Sequence, residues 1–244
     1  MLFELSSEDR LKILREVGKD GRRASQLVPD ICATVQEASR QVNRLHDAGL
    51  IERDADGRYG LTPVGTVLLK LLPSLDFVSR NRAYFLEHDI STIPQEFLER
   101  VGELSESELG ETAGLVLRHG EMILREAKEY IWLLSDHAVY SGQMIAQSVK
   151  DKEVRVRILV PAIEPDDRPG LMAAKDGLRD RLEVRFVPDI RVAIAMSEDR
   201  AGVAFPNLVG KIDYNAGLRG TGDGFRRWCS DIFSFYWQRS KTGL

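Results

Sequence analysis

The chain has 244 residues, of which 43% are hydrophobic, and a formal net charge of −4. This length is sufficient to bury two hydrophobic cores, one small and one larger. The sequence contains no apolar run of about 18 residues and no basic segment followed by an apolar leader, which argues against a membrane-spanning or secreted protein and predicts a cytoplasmic one.

Three helices are predicted at the start of the chain. The first covers residues 10–17 and the second covers residues 24–31. The third is predicted to begin at Thr34, whose hydroxyl can cap a helix together with Glu37 in a capping box. It is expected to end at Gly49, because glycine suits the left-handed position that terminates a helix.

The third helix has one apolar face and one polar face. Ala38, Val42 and Leu45 recur at the spacing of a single buried stripe. The opposite face carries polar residues that can contact base edges and phosphates in a DNA groove, namely Gln36, Ser39, Arg40, Asn43 and Arg44.

A β-hairpin is predicted after this helix. Asp56-Gly57 is a strong hairpin-turn signal, and it lies between the short apolar segments 51–53 and 59–61. Arg53 and Arg58 would flank the hairpin tip, where we expect them to contact DNA phosphates.

The order of helix, polar-faced helix, glycine turn and hairpin, followed by LTPVG, resembles the winged helices of ArsR-type and MarR-type transcription regulators over residues 5–72. The resemblance implies a winged helix-turn-helix DNA-binding domain at 1–72. Two alternatives remain open, namely a polar face that is only solvated and a winged helix that docks proteins. Residues 1–72 hold 11 basic and 11 acidic side chains, so binding cannot depend on bulk charge, and a homodimer on two half-sites is expected.

Residues 73–104 are predicted to form a helical linker and dimerisation region. A helix restarts at 64–72, and apolar residues continue past Pro73 to Leu86. An apolar surface of this kind is often a dimer seam, although packing between the two domains explains it equally well. Residues 87–129 carry a net charge of −7, which would keep this segment away from DNA.

Strands and helices alternate in the remainder of the chain. A long helix is predicted at 109–128, followed by a strand at 131–134, a helix at 139–149 and strands that include 154–160, 183–187 and the hairpin 192–205. A final helix is predicted at 224–241. This alternation predicts an α/β effector domain at 105–244.

The strand order, together with the closing helix FRRWCSDIFSFYWQRS, resembles the effector domain of archaeal winged-helix regulators. These include the methanogen filament-formation regulators and, more distantly, the TrmB-type sugar regulators. The resemblance implies a domain related to one half of a phospholipase D fold. Catalysis in that superfamily needs the pattern H-x-K-x4-D, but Arg191 and Ala193 stand at the histidine and lysine positions. Because arginine stays protonated, it cannot act as the nucleophile, and no enzyme activity is expected.

A small-molecule effector, with a mild preference for an anionic metabolite, is expected at the carboxyl ends of the strands. The residues there are Ser135, Asp136, His137 and Arg191. For the first three, a strand-end turn with a helix cap is an equally good interpretation. Arg155 and Arg157 are interpreted as outward-facing residues paired with acids such as Glu183, and the aromatic stripe of the last helix is interpreted as core.

Cys32 and Cys229 lie far apart, and the four histidines show no ligand spacing. Such cysteines are typical of small buried residues in a reducing compartment. The sequence therefore predicts no metal site and no cofactor.

These observations favour a DNA-binding transcriptional regulator whose C-terminal domain senses a small molecule. A phosphodiesterase or nuclease built on the C-terminal domain is one alternative. A regulator controlled by a protein partner is the other.

Overall fold

The protein folds into two compact units in a computed structural model, Met1–Leu75 and Asp76–Leu244. The structure describes residues 2–31, 34–136, 142–162 and 168–242. It is an α+β protein whose second unit contains a large mixed sheet. Within the described residues, no helix is long and apolar enough to cross a bilayer.

The first unit contains helices and one two-stranded hairpin. A short 3-10 helix (Leu2–Ser6) precedes α1 (Glu8–Lys19). A 3-10 turn (Ala24–Gln26), α2 (Val28–Ile31) and α3 (Val35–Asp47) follow. The hairpin strands are β1 (Ile51–Arg53) and β2 (Tyr59–Leu61), and α4 (Pro63–Arg80) leads out of the unit.

Helix α3 begins and ends through local hydrogen bonds. The Thr34 hydroxyl accepts a bond of 3.2 Å from the Glu37 amide, as predicted. The other half of the predicted capping box does not form in the described structure, because the Glu37 carboxylate instead accepts bonds from Arg40 and Gln41. Gly49 has a φ of 71° and ends the helix, as predicted.

The hairpin is extended by one residue from an earlier part of the chain. Arg22 exchanges both backbone hydrogen bonds with Tyr59, at 3.1 and 2.8 Å. The core beneath consists of α1, α3 and hairpin side chains, including Leu14, Val42 and Ile51. Sequence patterning misses the Arg22 pairing because a single bridging residue has no periodicity.

The second unit is built on one eight-stranded sheet. Its helices are α5 (Arg82–Glu87), α6 (Gln95–Leu98), α7 (Ala113–Glu126), α8 (Gly142–Ser148), α9 (Arg168–Leu178) and α10 (Asp223–Gln238). Its strands are β3 (Glu108–Gly110), β4 (Tyr130–Leu134), β5 (Arg155–Val160), β6 (Leu182–Phe186), β7 (Ala193–Met196), β8 (Ala201–Ala204), β9 (Gly217–Gly220) and β10 (Lys241–Thr242).

The strand order is β10-β6-β5-β4-β7-β8-β9-β3. Strands β4, β5 and β6 run parallel, whereas the remaining pairs are antiparallel. Side chains alternate between the two faces. Ile158 packs in a cluster with α8 and α9, whereas the next residue, Leu159, packs with α10.

Helix α10 packs an aromatic stripe against one face of the sheet. Phe225, Trp228 and Phe233 are almost completely buried, and the Trp228 indole donates a 3.0 Å bond to the Phe97 carbonyl. Cys229 is fully buried in the same cluster, and this burial raises the pKa of its thiol. The interpretation of this stripe as core is confirmed; Cys32 lies outside the described residues.

The end of α4 and the segment after it belong to the core of the second unit. Phe77, Tyr84, Phe97 and Leu104 are all buried in the α10 cluster. Buried His88 is hydrogen-bonded through both ring nitrogens, to the Tyr84 carbonyl at 2.8 Å and to the Asp213 carboxylate at 3.1 Å. The predicted linker is therefore a set of short helices that packs in the second unit, and its role in dimerisation stays a prediction.

Gly65 fixes the approach of α4 to the hairpin. A Cβ atom at this position would lie 1.9 Å from the Leu50 carbonyl oxygen, so alanine cannot be accommodated without moving backbone. We expect Gly65→Ala to lower the free energy of unfolding by roughly 1–3 kcal/mol, since overpacking against backbone relaxes poorly. Urea unfolding followed by circular dichroism would measure the loss.

Gly114→Ala is the matched control for this prediction. Gly114 is also helical, but a Cβ atom there would meet no atom within 4 Å. We expect it to be neutral or stabilising by up to about 1 kcal/mol. Equal stability of the two variants would contradict the close approach of α4 to Leu50.

Candidate nucleic-acid interface and ligand cavity

The polar residues predicted to contact DNA share one side of α3. Ala38, Val42 and Leu45 are fully buried on the other side, which fixes the rotation of the helix about its axis. Of the five polar side chains, three are exposed and two are half-buried. The exposed ones are Gln36, Arg40 and Asn43, and the half-buried ones are Ser39 and Arg44.

Arg44 is held by the beginning of the chain. Its guanidinium donates two bonds to the Glu4 carboxylate, at 3.0 and 3.1 Å, and lies 5.4 Å from the Phe3 ring centroid. The bond from Arg44 keeps the pKa of the Glu4 carboxyl below its ordinary value. Arg44 must therefore share or leave this carboxylate before it can contact a phosphate.

Arg10 lies beneath this ion pair and is only 6% exposed. It donates to the Gln41 side-chain oxygen at 2.9 Å and to the Phe3 and Glu4 carbonyls at 3.1 and 2.8 Å. Its Nε also lies 3.0 Å from the Glu4 carboxylate. Arg10 therefore joins α1, α3 and the first residues of the chain.

Both predicted hairpin arginines are exposed. The Arg53 guanidinium lies 5.9 Å from the Tyr59 ring centroid. Arg23 also reaches the hairpin tip, where it donates a 3.2 Å bond to the Asp56 carbonyl. Gly57 has a φ of 79° and lies in a five-residue loop, because Arg53 pairs with Tyr59.

The residues predicted to bind an effector do not all come together. Ser135 is buried and lines a cavity. The carboxylate of the next residue, Asp136, accepts a hydrogen bond of 2.7 Å from the Tyr214 hydroxyl. Arg191 is not among the described residues that line this cavity, and its guanidinium pairs with Asp189 at 2.8 Å. His137 lies outside the described residues.

Two arginines on the strands of the second unit are paired or packed on an aromatic ring. Arg157 lies 3.8 Å from the Glu183 carboxylate, which confirms the interpretation of this strand residue as paired. Arg157 and Arg185 also both lie against Trp237, with centroid distances of 4.9 and 4.3 Å.

A cavity of about 90 Å³ lies between α7 and the sheet, on the face opposite α10. Its walls are apolar and come from helices as well as strands, including Val116, Ile123, Ile145 and Leu171. Side chains that filled this space would add apolar contacts to the core.

Small residues on the sheet create the cavity. Ala193 pairs with Ala204, and Gly110 pairs with Gly217, so neighbouring strands place hydrogen or methyl groups on the cavity floor. Gly202 also lies on this floor, where an added Cβ would meet the His119 ring at 3.2 Å. Valine, isoleucine or leucine at these positions would close the space.

Two polar side chains from different elements reach the cavity at one end. His119 on α7 bonds the Ala201 carbonyl at 3.0 Å, and burial is the main cause that lowers the pKa of its imidazole. Arg219 on β9 pairs with Glu108 at 3.3 Å through a terminal nitrogen. The buried Nε of Arg219 has no hydrogen-bond partner within the described structure.

Sequence reasoning misses His119, Gly202 and Arg219 as site residues. A signal is present, since VAIA and AGVA carry Ala or Gly at alternate positions, which puts small residues on one face of each strand, and GLRG places Gly217 and Arg219 on one face. However, the register that brings these faces together depends on contacts distant in sequence.

The residues at the predicted phosphodiesterase positions serve other roles. Arg191 pairs with Asp189, and Ala193 is buried on the cavity floor. Buried His88 faces Asp213, but both its ring nitrogens are bonded within the fold, which leaves neither available to attack phosphorus. Among the described residues, no cluster of three or more His, Cys, Asp or Glu side chains is arranged to hold a metal ion.

Comparison with known proteins shows similarity to a curated regulatory protein. The chain is 25% identical over 215 residues to the methanogenesis regulatory protein FilR1 of Methanothrix harundinacea (strain 6Ac). The chain resembles a regulator. The alignment covers 82% of this chain and 48% of FilR1, so the chain spans about half the length of that relative. The predicted resemblance to methanogen regulators is confirmed, whereas no family model matches the chain.

Two solved structures align over much of the chain. TrmBL2, an archaeal chromatin protein described as having a novel mode of DNA binding, is 16% identical, with 97% of this chain and 94% of TrmBL2 covered and a TM-score of 0.43. NucT from Helicobacter pylori is 9% identical, with 56% of this chain and 98% of NucT covered and a TM-score of 0.43. Both scores are too low to establish a shared fold.

The lowered pKa of His119 predicts an acid-sensitive second unit. An unfolded chain takes up a proton near the ordinary value of 6.5, whereas the folded protein does so only at lower pH. The contribution of His119 is therefore fully present above this value and is lost as the pH falls below it. We expect acidification from about pH 7.5 to about pH 5.5 to destabilise the parent more than His119→Gln.

Tryptophan fluorescence during urea unfolding measures this difference, because Trp132, Trp228 and Trp237 all lie in the second unit. His46→Gln, at an exposed histidine of the first unit, is the control, because the tryptophan signal reports the second unit. An unchanged slope in His119→Gln would show that His119 is not a buried neutral group.

Proposed function

We propose that the chain is a DNA-binding transcriptional regulator, with a winged helix-turn-helix in residues 1–72. The observation that carries the proposal is the polar face of α3, which lies opposite a fully buried stripe and is followed by an arginine-bearing hairpin. The named regulatory role of FilR1 supports the same function.

In this proposal α3 enters the major groove. Gln36, Arg40 and Asn43 are spaced to follow base edges along one helix face, while Ser39 and Arg44 flank them. Arg53 and Arg58 on the hairpin bind phosphates beside the groove. The domain is neutral, so sequence-specific contacts rather than bulk charge supply the discrimination.

The proposed working form is a homodimer joined through α4. Val64, Val67, Leu71 and Leu75 recur at intervals of three or four residues, and each is at least half exposed. An apolar seam with this spacing packs against a second helix of the same kind. Pairing two chains places two α3 helices on two half-sites, which compensates for modest affinity per domain.

The second unit is proposed to sense a small molecule, on a fold related to one half of phospholipase D without its catalysis. The cavity beside Ser135 supplies a site for such a molecule. Control of DNA binding requires the effector to bind two states of the dimer with different affinity, commonly by about 1–3 kcal/mol. Control by a protein partner is the alternative, and it needs no occupied cavity.

Arg40→Ala tests the assignment of α3. Arg40 is exposed and pairs only with its neighbour Glu37 among the described residues, at 2.9 Å, so its loss leaves the fold intact. We expect operator affinity to fall by roughly 1–3 kcal/mol if Arg40 contacts a base. A fluorescence-anisotropy titration on a selected duplex would measure the change.

Arg125→Ala provides the control, because Arg125 is an exposed arginine of the second unit. Arg40 is a cleaner probe than Arg44, whose removal also leaves Glu4 without two bonds. Parent-like operator binding by Arg40→Ala would contradict the assignment of this helix face.

Leu71→Glu tests the α4 seam. A carboxylate in an apolar helix interface is strongly unfavourable, so we expect the variant to be monomeric at concentrations where the parent is dimeric. Sedimentation equilibrium would measure the molecular mass. Lys70→Glu, at an exposed position of the same helix, should leave the dimer intact, whereas a dimeric Leu71→Glu variant would exclude this seam.

A further inference from the structure

The cavity under α7 combines three properties that define a class of ligand. It is apolar over most of its wall, its floor is formed by glycine and alanine, and one end carries an arginine whose Nε hydrogen has no acceptor among the described residues. The following inference rests on the proposed sensing role, but it specifies the chemistry of the ligand and has its own test.

The size of the cavity limits the ligand to a small molecule. A group the size of a water molecule needs about 10–15 Å³ of cavity volume, so a cavity of about 90 Å³ accommodates roughly six to nine such groups. Apolar cavities of this kind hold organic molecules in preference to water. A sugar, with a hydroxyl on nearly every carbon, would leave most of its polar groups without partners here.

The cavity end beside Arg219 favours an acidic oxygen. Arg219 donates to the exposed Glu108 through a terminal nitrogen, which leaves the buried Nε–H directed at no acceptor in the described structure. Arg200 and Arg219 both contribute positive charge around His119, whereas Glu108 opposes them. His119 donates a hydrogen bond to the Ala201 carbonyl as a neutral imidazole, so it adds no negative charge to this end of the cavity.

We propose that this cavity binds a small, mainly apolar carboxylic acid of about six to ten non-hydrogen atoms. The hydrocarbon part lies on the floor formed by Ala193, Ala204 and Gly217, beneath α7. The carboxylate accepts a hydrogen bond from Nε of Arg219, and this charge-assisted bond distinguishes the acid from neutral molecules of the same shape.

Calorimetric titration of the full chain with matched probes tests the proposal. The probes are hexanoate and phenylacetate, each compared with its neutral amide. We expect the acids to bind at least about tenfold more tightly than the amides, because a charge-assisted bond exceeds a neutral one. Failure of both acids to bind, or equal binding of acid and amide, would overturn the proposal.

Two variants separate the two halves of the proposed site. Arg219→Gln should reduce acid binding to the level of the amide, while the matched Arg185→Gln, also on a strand and paired with a glutamate, should behave as the parent. Ala204→Leu fills the floor and should abolish binding of acid and amide alike. If Ala204→Leu does not fold, Ala193→Val makes a smaller change at the residue that pairs with Ala204 in the sheet.

Retained acid preference in Arg219→Gln, or retained binding in a folded floor variant, would contradict the assigned site. Operator affinity is measured separately, with and without acid. Acid binding that leaves operator affinity unchanged supports this inference and contradicts effector sensing. Acid binding by a protein that binds no duplex likewise supports the cavity assignment while contradicting the proposed regulatory function.

Discussion

Arg10 is the residue on which the arrangement of the first unit depends. Its guanidinium is almost fully buried, and it is compensated by the Glu4 carboxylate, two backbone carbonyls and the Gln41 side chain. A buried charge is tolerated only when it is paired and hydrogen-bonded in this way. The contacts fix α3 relative to α1 and bring Glu4 to Arg44, at the edge of the proposed DNA-binding face.

The two faces of the sheet in the second unit are packed differently. One face is covered by the aromatic side chains of α10, with Trp228 and Phe233 in a dense cluster. The other face carries Ala193, Ala204 and Gly217 beneath α7, and a cavity remains there. A rigid, well-packed face can hold the sheet in shape while the opposite face accommodates a guest molecule.

Much of the first unit could be predicted from local chemistry. The apolar stripe of α3, the Thr34 cap, Gly49 and the Asp56-Gly57 turn each specify their structure over a few residues. Strands β3 and β9 are not predictable from local pattern because ELG and GLRG are short and contain glycine, which disfavours a strand in isolation. Their pairing is stabilised by neighbouring strands, which sequence periodicity cannot reveal.

The candidate sites follow the same division. The exposed side of α3 is predictable because helix periodicity assigns every residue to a face. The cavity was not predictable, because Gly110, Ala193, Gly202 and Arg219 meet only through the register of several strands. Arg191 follows a strand in the sequence, but in the structure it pairs with Asp189 and is not among the described residues that line the cavity.

The central claim is that the chain recognises a specific duplex sequence through α3. Selection from a random duplex library, followed by hydroxyl-radical footprinting of the enriched DNA, tests this claim most directly. The account predicts one enriched sequence with two protected half-sites, centred about one helical turn or a multiple of it apart. Failure to enrich any sequence, or uniform protection of unrelated duplexes, would contradict it.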